Sequence, residues 1–297
     1  MTNIAVIILC KNEELHIGRC LERLMPLQPS EVFLIDCYSS DRTRIIAEMW
    51  GKKYEIRFGG KLTVIQHEWP GLYAKQFNWA LENCGLTSDW VLRLDADEYL
   101  VDDAIIEIKQ RLPELPSNVS LIELPLCQVW FGDVVKFGTG VLYLGRIFRR
   151  GLGKCEERYM DEHTVVKGGH TIRFKHPFVD DNLNTLDWWI IKHLGYARRE
   201  AIDYFFGNSS GKKSFYNRLP LFGRCFAYFF YRYIIRGGFI EGKAGFTWHF
   251  FQGWWYRSLV DVNIMNVKKK VKELVRNGDT RNKNEIYKSV AEELLKV

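Results

Sequence analysis

Two carboxylates one residue apart, Asp95-Ala96-Asp97, stand directly after the apolar run Trp90-Val-Leu-Arg-Leu94. At the end of a β-strand such a pair can meet a hard cation with oxygen ligands. A cation there can bridge the diphosphate of a nucleotide and neutralise charge on a phosphate leaving group. Two further polar clusters, Lys11-Asn12-Glu13 and Asp36 with Ser39-Ser40-Asp41, follow apolar runs of the same kind. Any one of them alone reads equally well as a solvated turn or a helix cap. No glycine-rich phosphate loop of either familiar kind is present, so a diphosphate would be held by metal. That disfavours a P-loop enzyme and a dinucleotide dehydrogenase.

The elements that must position these clusters alternate. Ile4–Leu9 is a β-branched and leucine run, as in a strand buried on both faces. Apolar residues then recur at Leu15, Ile17, Leu21 and Leu24, a helix ending near Met25-Pro26. Val32–Ile35, Leu62–Gln66 and Trp90–Leu94 read as strands, with helices over about 44–50 and 77–84 between them. The pattern β-α-β-α-β-α-β predicts an α/β fold with a mostly parallel sheet, whose ligands bind beyond the carboxyl ends of the strands. All three polar clusters fall at such ends.

The chain has 297 residues, 47% hydrophobic and 26% charged, a globular balance that excludes disorder, collagen and a disulfide scaffold. Its seven cysteines are odd in number and contain no Cys-x-x-Cys, the usage expected of a cytoplasmic protein without a zinc site. The uncharged run Ala244–Tyr256 is shorter than the roughly 18 residues a spanning helix needs. The first ten residues read as a strand, not a leader. Net charge is +6, but residues 188–260 hold 11 Lys/Arg against 3 Asp/Glu and 23 of the 43 aromatic side chains. Composition divides the chain into an ordinary N-terminal part and a basic, aromatic C-terminal part. The expected organisation is a catalytic domain over 1–180, a basic aromatic helical region over 181–260 and an amphipathic helical tail over 261–297.

Ile-Ile-Leu-Cys-Lys-Asn-Glu-Glu at 7–14, Leu-Ile-Asp-Cys-Tyr-Ser-Ser-Asp-Arg-Thr at 34–43 and Asp-Trp-Val-Leu-Arg-Leu-Asp-Ala-Asp-Glu at 89–98 resemble family 2 glycosyltransferases. These are inverting enzymes with the Rossmann-like, nucleotide-sugar-binding GT-A fold. The resemblance covers residues 1–100 and, more loosely, 120–180. It implies that Asp36 hydrogen-bonds the uracil of a UDP-sugar and that Asn12, Glu13 and Ser39 line the nucleotide pocket. Asp95 would sit near the ribose and sugar, and Asp97 would ligate Mg²⁺ or Mn²⁺ on the diphosphate. The family's Val-Asp-Ser-Gly-Ser-Thr-Asp reads Ile-Asp-Cys-Tyr-Ser-Ser-Asp here, which brings Tyr38 near the base. The family's basic-Asn pair reads Gln76-Phe77-Asn78, with Lys75 as the alternative source of charge.

An inverting transfer needs a carboxylate to deprotonate the acceptor hydroxyl. Tyr159-Met160-Asp161-Glu162-His163 resembles the motif of the lipopolysaccharide-core and capsule branch, where Glu162 matches the base and Asp161 is the second candidate. A charged turn before a strand is the alternative. His176 is expected either in the metal shell or as a surface histidine. Arg146 could face the diphosphate or acceptor, and Trp130 could form a stacking wall for a sugar; both could equally be packing residues.

A helix starting at Pro220 would place Arg218, Arg224, Arg232 and Arg236 in a basic stripe beside Phe222, Phe226, Phe229, Phe230, Tyr233 and Ile234. Such a helix lies in a membrane interface, with aromatics among acyl chains and arginines on anionic headgroups. The alternatives are a helix packed on the catalytic domain and, less suited to so apolar a helix, nucleic-acid binding. The expected function is inverting, metal-dependent transfer of a hexose from a UDP-sugar to a lipid-anchored saccharide, such as lipopolysaccharide core or an undecaprenyl-linked glycan. It would act peripherally at the cytoplasmic face of a bacterial inner membrane. The rival functions are transfer to polyprenyl phosphate and a non-catalytic, membrane-bound nucleotide-binding protein.

Overall fold

The computed structural model describes residues 1–158, 162–206 and 211–295. The chain forms two compact units. Unit 1 holds Met1–Val134, Val141–Glu157 and Glu162–Leu183, and unit 2 holds Val135–Gly140, Arg158–Asp161 and Asn184–Val297.

Unit 1 is built on strands β1 (Thr2–Cys10), β2 (Pro29–Asp36), β3 (Lys61–Gln66), β4 (Trp90–Asp95), β5 (Glu98–Leu100) and β6 (Val119–Trp130). They continue with β7 (Asp133–Val135), β8 (Tyr143–Arg149), β9 (Gly153–Cys155), β10 (Thr164–Val166), β11 (His170–Arg173) and β12 (Phe178–Asp180). The main sheet runs β3-β2-β1-β4-β8-β6-β12-β5, with β11 and β7 also beside β6. Pairings among β3, β2, β1 and β4 are parallel, while β8 is antiparallel to both β4 and β6. This is the mixed α/β, mostly parallel arrangement of the GT-A fold.

Period-2 alternation divides the core. Ile4, Val6 and Ile8 face one apolar cluster, where α1 (Ile17–Leu24), α2 (Thr43–Phe58) and, after α3 (Tyr73–Asn83), α4 (Asp102–Arg111) deliver Leu21, Trp50 and Ile105. Ile7 and Leu9 face the other cluster, with Phe77 of α3 and Cys155 of β9. Covering both faces is what keeps a parallel sheet dry. Helix α2 runs eight residues beyond the end expected from the sequence, through Gly51 to Phe58. Gly51 does not break it, because the strand packs close: a Cβ there would lie 3.2 Å from Leu62. The stop is Gly59, left-handed at φ 67°.

Unit 2 contains α5 (Leu186–Phe206), α6 (Gly211–Arg218), α7 (Gly223–Phe230), α8 (Gly242–Trp248), α9 (Tyr256–Arg276) and α10 (Lys283–Leu295). Helices α9 and α10, from the segment expected as a tail, share one core with α5 through Ala197, Ala201, Val260, Ile264, Val290 and Leu295. No described helix is long and apolar enough to cross a membrane.

The arginine stripe expected on the Pro220 helix is corrected by the structure. Helix α7 starts only at Gly223, and Tyr231–Ile235 continues it as a π-helical turn, which shifts the side-chain register. Arg224 and Arg232 are buried, 2% and 6% exposed. The Arg224 guanidinium meets the Asp261 carboxylate and the ring of Tyr216, and that of Arg232 meets the ring of Tyr228. Arg218 and Arg236 remain exposed. Of the expected aromatic face, Phe222, Phe226, Phe230 and Ile234 are exposed and Phe229 and Tyr233 are half-buried; Phe239, Phe246 and Trp254 are exposed as well.

Candidate active site

The loops after β1 and β2 lock together through residues expected to line a nucleotide pocket. Asn12, at φ 56°, donates its N–H to Ser39 Oγ at 2.9 Å and accepts Ser40 N–H on Oδ1 at 2.9 Å. Glu13 N–H donates to Thr43 Oγ1 at 2.7 Å, and its carboxylate meets His16 Nδ1 at 2.6 Å. The far nitrogen of His16 accepts the Leu183 N–H at 2.8 Å, so the ring N–H is on Nδ1 and donates to the Glu13 carboxylate. Asp36 is fully buried and accepts Ser39 N–H at 3.1 and 3.2 Å and Gln66 Nε2 at 3.3 Å. These bonds hold the turn that follows β2. The turn puts Tyr38 at φ 55° with its ring exposed.

Asp95 and Asp97 stand together at the end of β4, both half-buried. Tyr73 Oη donates to Asp95 Oδ1. Asn182 Nδ2 donates to Asp97 Oδ2 at 2.9 Å. Arg19 ties the backbone of this turn to the loop after β12, donating to the Asp97 carbonyl at 3.3 Å and to Asp181 Oδ2 at 2.5 Å. Beneath them the Glu98 carboxylate accepts Asp95 N–H at 2.9 Å and pairs with Arg146 at 2.5 Å. Burial pushes the Glu98 carboxyl up, the Arg146 guanidinium opposes that shift, and Asp95, Asp180 and Asp97 add to it.

Glu162 reaches this cluster through its main chain. Arg93 of β4 donates Nη1 to the Glu162 carbonyl at 3.2 Å and Nε to Tyr73 Oη at 3.1 Å. Asp161 lies outside the described residues. Arg93 and Tyr73 were missed in the sequence, although an arginine inside the apolar run of β4 was a visible signal of a buried partner.

Five expected site residues have other partners. Asn78 uses both ends of its amide on the Cys155 backbone, at 2.8 Å each, and so holds β9. Gln76 is fully buried between His67 Nδ1 and Cys37 Sγ. Arg146 is buried and meets the Glu98 carboxylate and the ring of Phe178. Trp130 is buried with its ring edge-on to Phe131. His176 lies beside Asp103 and Glu107 of α4. Antiparallel pairing sets Asp180 opposite Glu98 and Phe178 opposite Leu100, so His176, which precedes β12, lies on the α4 side and away from the Asp97 turn. Lys75 stays exposed on α3.

The acidic pair fits a hard divalent cation that takes one or two carboxylates from protein and the rest of its shell from diphosphate and water. Among the described residues, no three His, Cys, Asp or Glu side chains are grouped to hold a metal by themselves.

Residues 5–129 match the family model for glycosyl transferase family 2. That segment, with the three strand-end clusters in it, therefore resembles a family 2 glycosyltransferase domain. It is 34% identical over 112 residues to the lipopolysaccharide core biosynthesis glycosyltransferase LpsC of Rhizobium meliloti, an alignment covering 38% of this chain and 36% of that protein. It is 35% identical over 109 residues to an uncharacterized glycosyltransferase of Rickettsia typhi, covering 37% and 32%. The match spans about a third of the length of these curated relatives. Among solved structures, the mannosyltransferase PcManGT from Pyrobaculum calidifontis, in complex with GDP-Man and Mn²⁺, superposes at a TM-score of 0.54. It is 16% identical, with 89% of this chain and 87% of that one covered, and so shares the fold.

Proposed function

We propose that the protein is an inverting, metal-dependent glycosyltransferase that moves a hexose from a UDP-sugar to a lipid-anchored saccharide. The observation that carries this reading is the side-chain chain Asp95–Tyr73–Arg93, which ends on the main chain of Glu162. It links Asp95 to the backbone of the segment that contains Glu162, which supports a donor carboxylate and a base serving one site. The likeness to LpsC, a lipopolysaccharide core biosynthesis glycosyltransferase, supports a lipopolysaccharide-core acceptor.

The roles divide by chemistry. Asp97 would hold Mg²⁺ or Mn²⁺, and that ion, when bound, neutralises charge on the departing UDP. Asp95, oriented by Tyr73, contacts the ribose or sugar. Asn12, Glu13 and Ser39 keep the two nucleotide loops in register, Tyr38 offers an exposed ring to the base, and Lys75 supplies positive charge near the phosphates. Glu162 removes the acceptor proton on the face opposite the leaving group. In a calorimetric titration, wild type should bind UDP in Mn²⁺ at least tenfold more tightly than in chelator, and Asp97→Ala should erase that difference. UDP affinity that ignores metal in wild type would overturn the reading.

The exposed aromatic residues of unit 2 support peripheral binding at the inner face of a membrane. With Arg224 and Arg232 turned inward, this contact rests on partition of Phe226 and Phe230, each contributing about 2 kcal/mol when buried in the interface. Arg218 and Arg236 add a smaller attraction to anionic headgroups. Phe226→Ser/Phe230→Ser should abolish flotation with phosphatidylglycerol-containing vesicles, whereas Arg218→Glu/Arg236→Glu should only weaken it. Undiminished flotation of the double serine variant removes this patch from the reading.

A further inference from the structure

We propose that Arg93 is a positioning residue that couples occupancy of the donor pocket to placement of the segment carrying Glu162. This rests on the donor reading given above. Arg93 and Asp95 are two residues apart on β4, so both side chains project from the same face of the sheet. The planar guanidinium offers several donors in one fixed fork. Its Nε donates to Tyr73 Oη at 3.1 Å, and its Nη1 donates to the Glu162 carbonyl at 3.2 Å and lies 3.5 Å from Cys155 Sγ. The guanidinium carbon sits 4.4 Å from the centroid of the Tyr73 ring, which fixes its plane.

The direction of the chain follows from proton counting. A phenol has one proton to give. Tyr73 accepts from Arg93, so its own proton goes to Asp95. The Asp95 carboxylate, the hydroxyl, the guanidinium and the Glu162 main chain are thus one ordered sequence of hydrogen bonds, in which each bond polarises the next. At the far end, β9 and β10 form an antiparallel hairpin, and the Glu156 N–H donates to the His163 carbonyl at 2.9 Å across its neck. A ligand that engages Asp95 fixes the hydroxyl, then the fork, then the hairpin. The base is therefore set in place by arrival of the donor.

The test needs no acceptor. Amide hydrogen exchange of residues 153–166 is followed with and without UDP and Mn²⁺. In wild type the ligand should slow exchange there by about threefold or more. Tyr73→Phe keeps the ring in the core and removes only the hydroxyl; Arg93→Lys keeps the charge and removes the fork. Both should still bind UDP by calorimetry, within about tenfold of wild type, yet lose the slowing. If Arg93→Lys does not fold, Tyr73→Phe decides alone. Equal slowing in wild type and Tyr73→Phe overturns the coupling, as does bound UDP with no slowing in wild type. Failure of wild type to bind UDP at all sinks the donor reading and the coupling with it, and is distinguishable from those two results.

Discussion

Glu162→Gln is expected to lower kcat for sugar transfer by about 10²–10⁴-fold while leaving UDP affinity unchanged. Glutamine keeps the size and shape of the side chain. One contact between this segment and β4 is to the Glu162 carbonyl, at 3.2 Å from Arg93, and the substitution does not touch it. What is lost is a carboxylate able to take the acceptor proton as the bond to the sugar forms. Initial rates of UDP release, at saturating donor and in the presence of acceptor, measure the loss. The same variant separates two functions of this fold. A polyprenyl phosphate acceptor is already ionised and needs no base, so near-normal turnover in Glu162→Gln would favour that acceptor and remove Glu162 from catalysis. Asp161→Asn, assayed alongside, shows whether the neighbouring acid carries the role instead.

The strand ends could be read from sequence because strands buried on both faces leave continuous apolar runs, and those runs stop where polar clusters begin. Asp95, Asp97 and the loops after β1 and β2 do lie at such ends. Partners distant in sequence could not be read in this way. Asn78 has the residue type of a ligand-binding amide, yet its partner is the Cys155 backbone, 77 positions away. Arg146 has the charge to meet a diphosphate, yet it meets Glu98. Tyr73 begins a helix and carries no local sign that its hydroxyl faces Asp95. In unit 2 the helical wheel failed for two physical reasons. It assumed an unbroken α-helix, whereas Tyr231–Ile235 is a π turn. It also assigned the arginines to anionic headgroups, although Asp261 is an acid in the otherwise apolar Leu259-Val260-Asp261-Val262 run, and a buried acid needs a buried base.

That buried pair is where the largest change in stability is expected. Both side chains of the Arg224–Asp261 pair are 1% exposed. The carboxylate accepts Arg224 Nε at 2.9 Å, the Phe222 N–H at 2.6 Å and Cys225 Sγ at 3.0 Å, and it meets Arg224 Nη2 as well. It therefore neutralises a cation and caps the start of α7, where Phe222 takes φ 62°. Asp261→Ala leaves Arg224 charged, dry and unpaired, and should cost unit 2 about 3–5 kcal/mol. Arg224→Met/Asp261→Leu removes both charges and forfeits mainly the acceptor for the Phe222 N–H, a cost of about 1–3 kcal/mol. The double variant should thus be more stable than the single one. Urea unfolding followed by tryptophan fluorescence, with exchange of residues 223–276 to assign the transition to unit 2, gives both values. A single substitution costing under about 1 kcal/mol would show that the pair is not dry. Because Asp261 sets where α7 begins, it also sets which face carries Phe226 and Phe230. A folded Asp261→Ala protein should therefore float with vesicles less well than wild type, although none of its exposed aromatic residues has been changed.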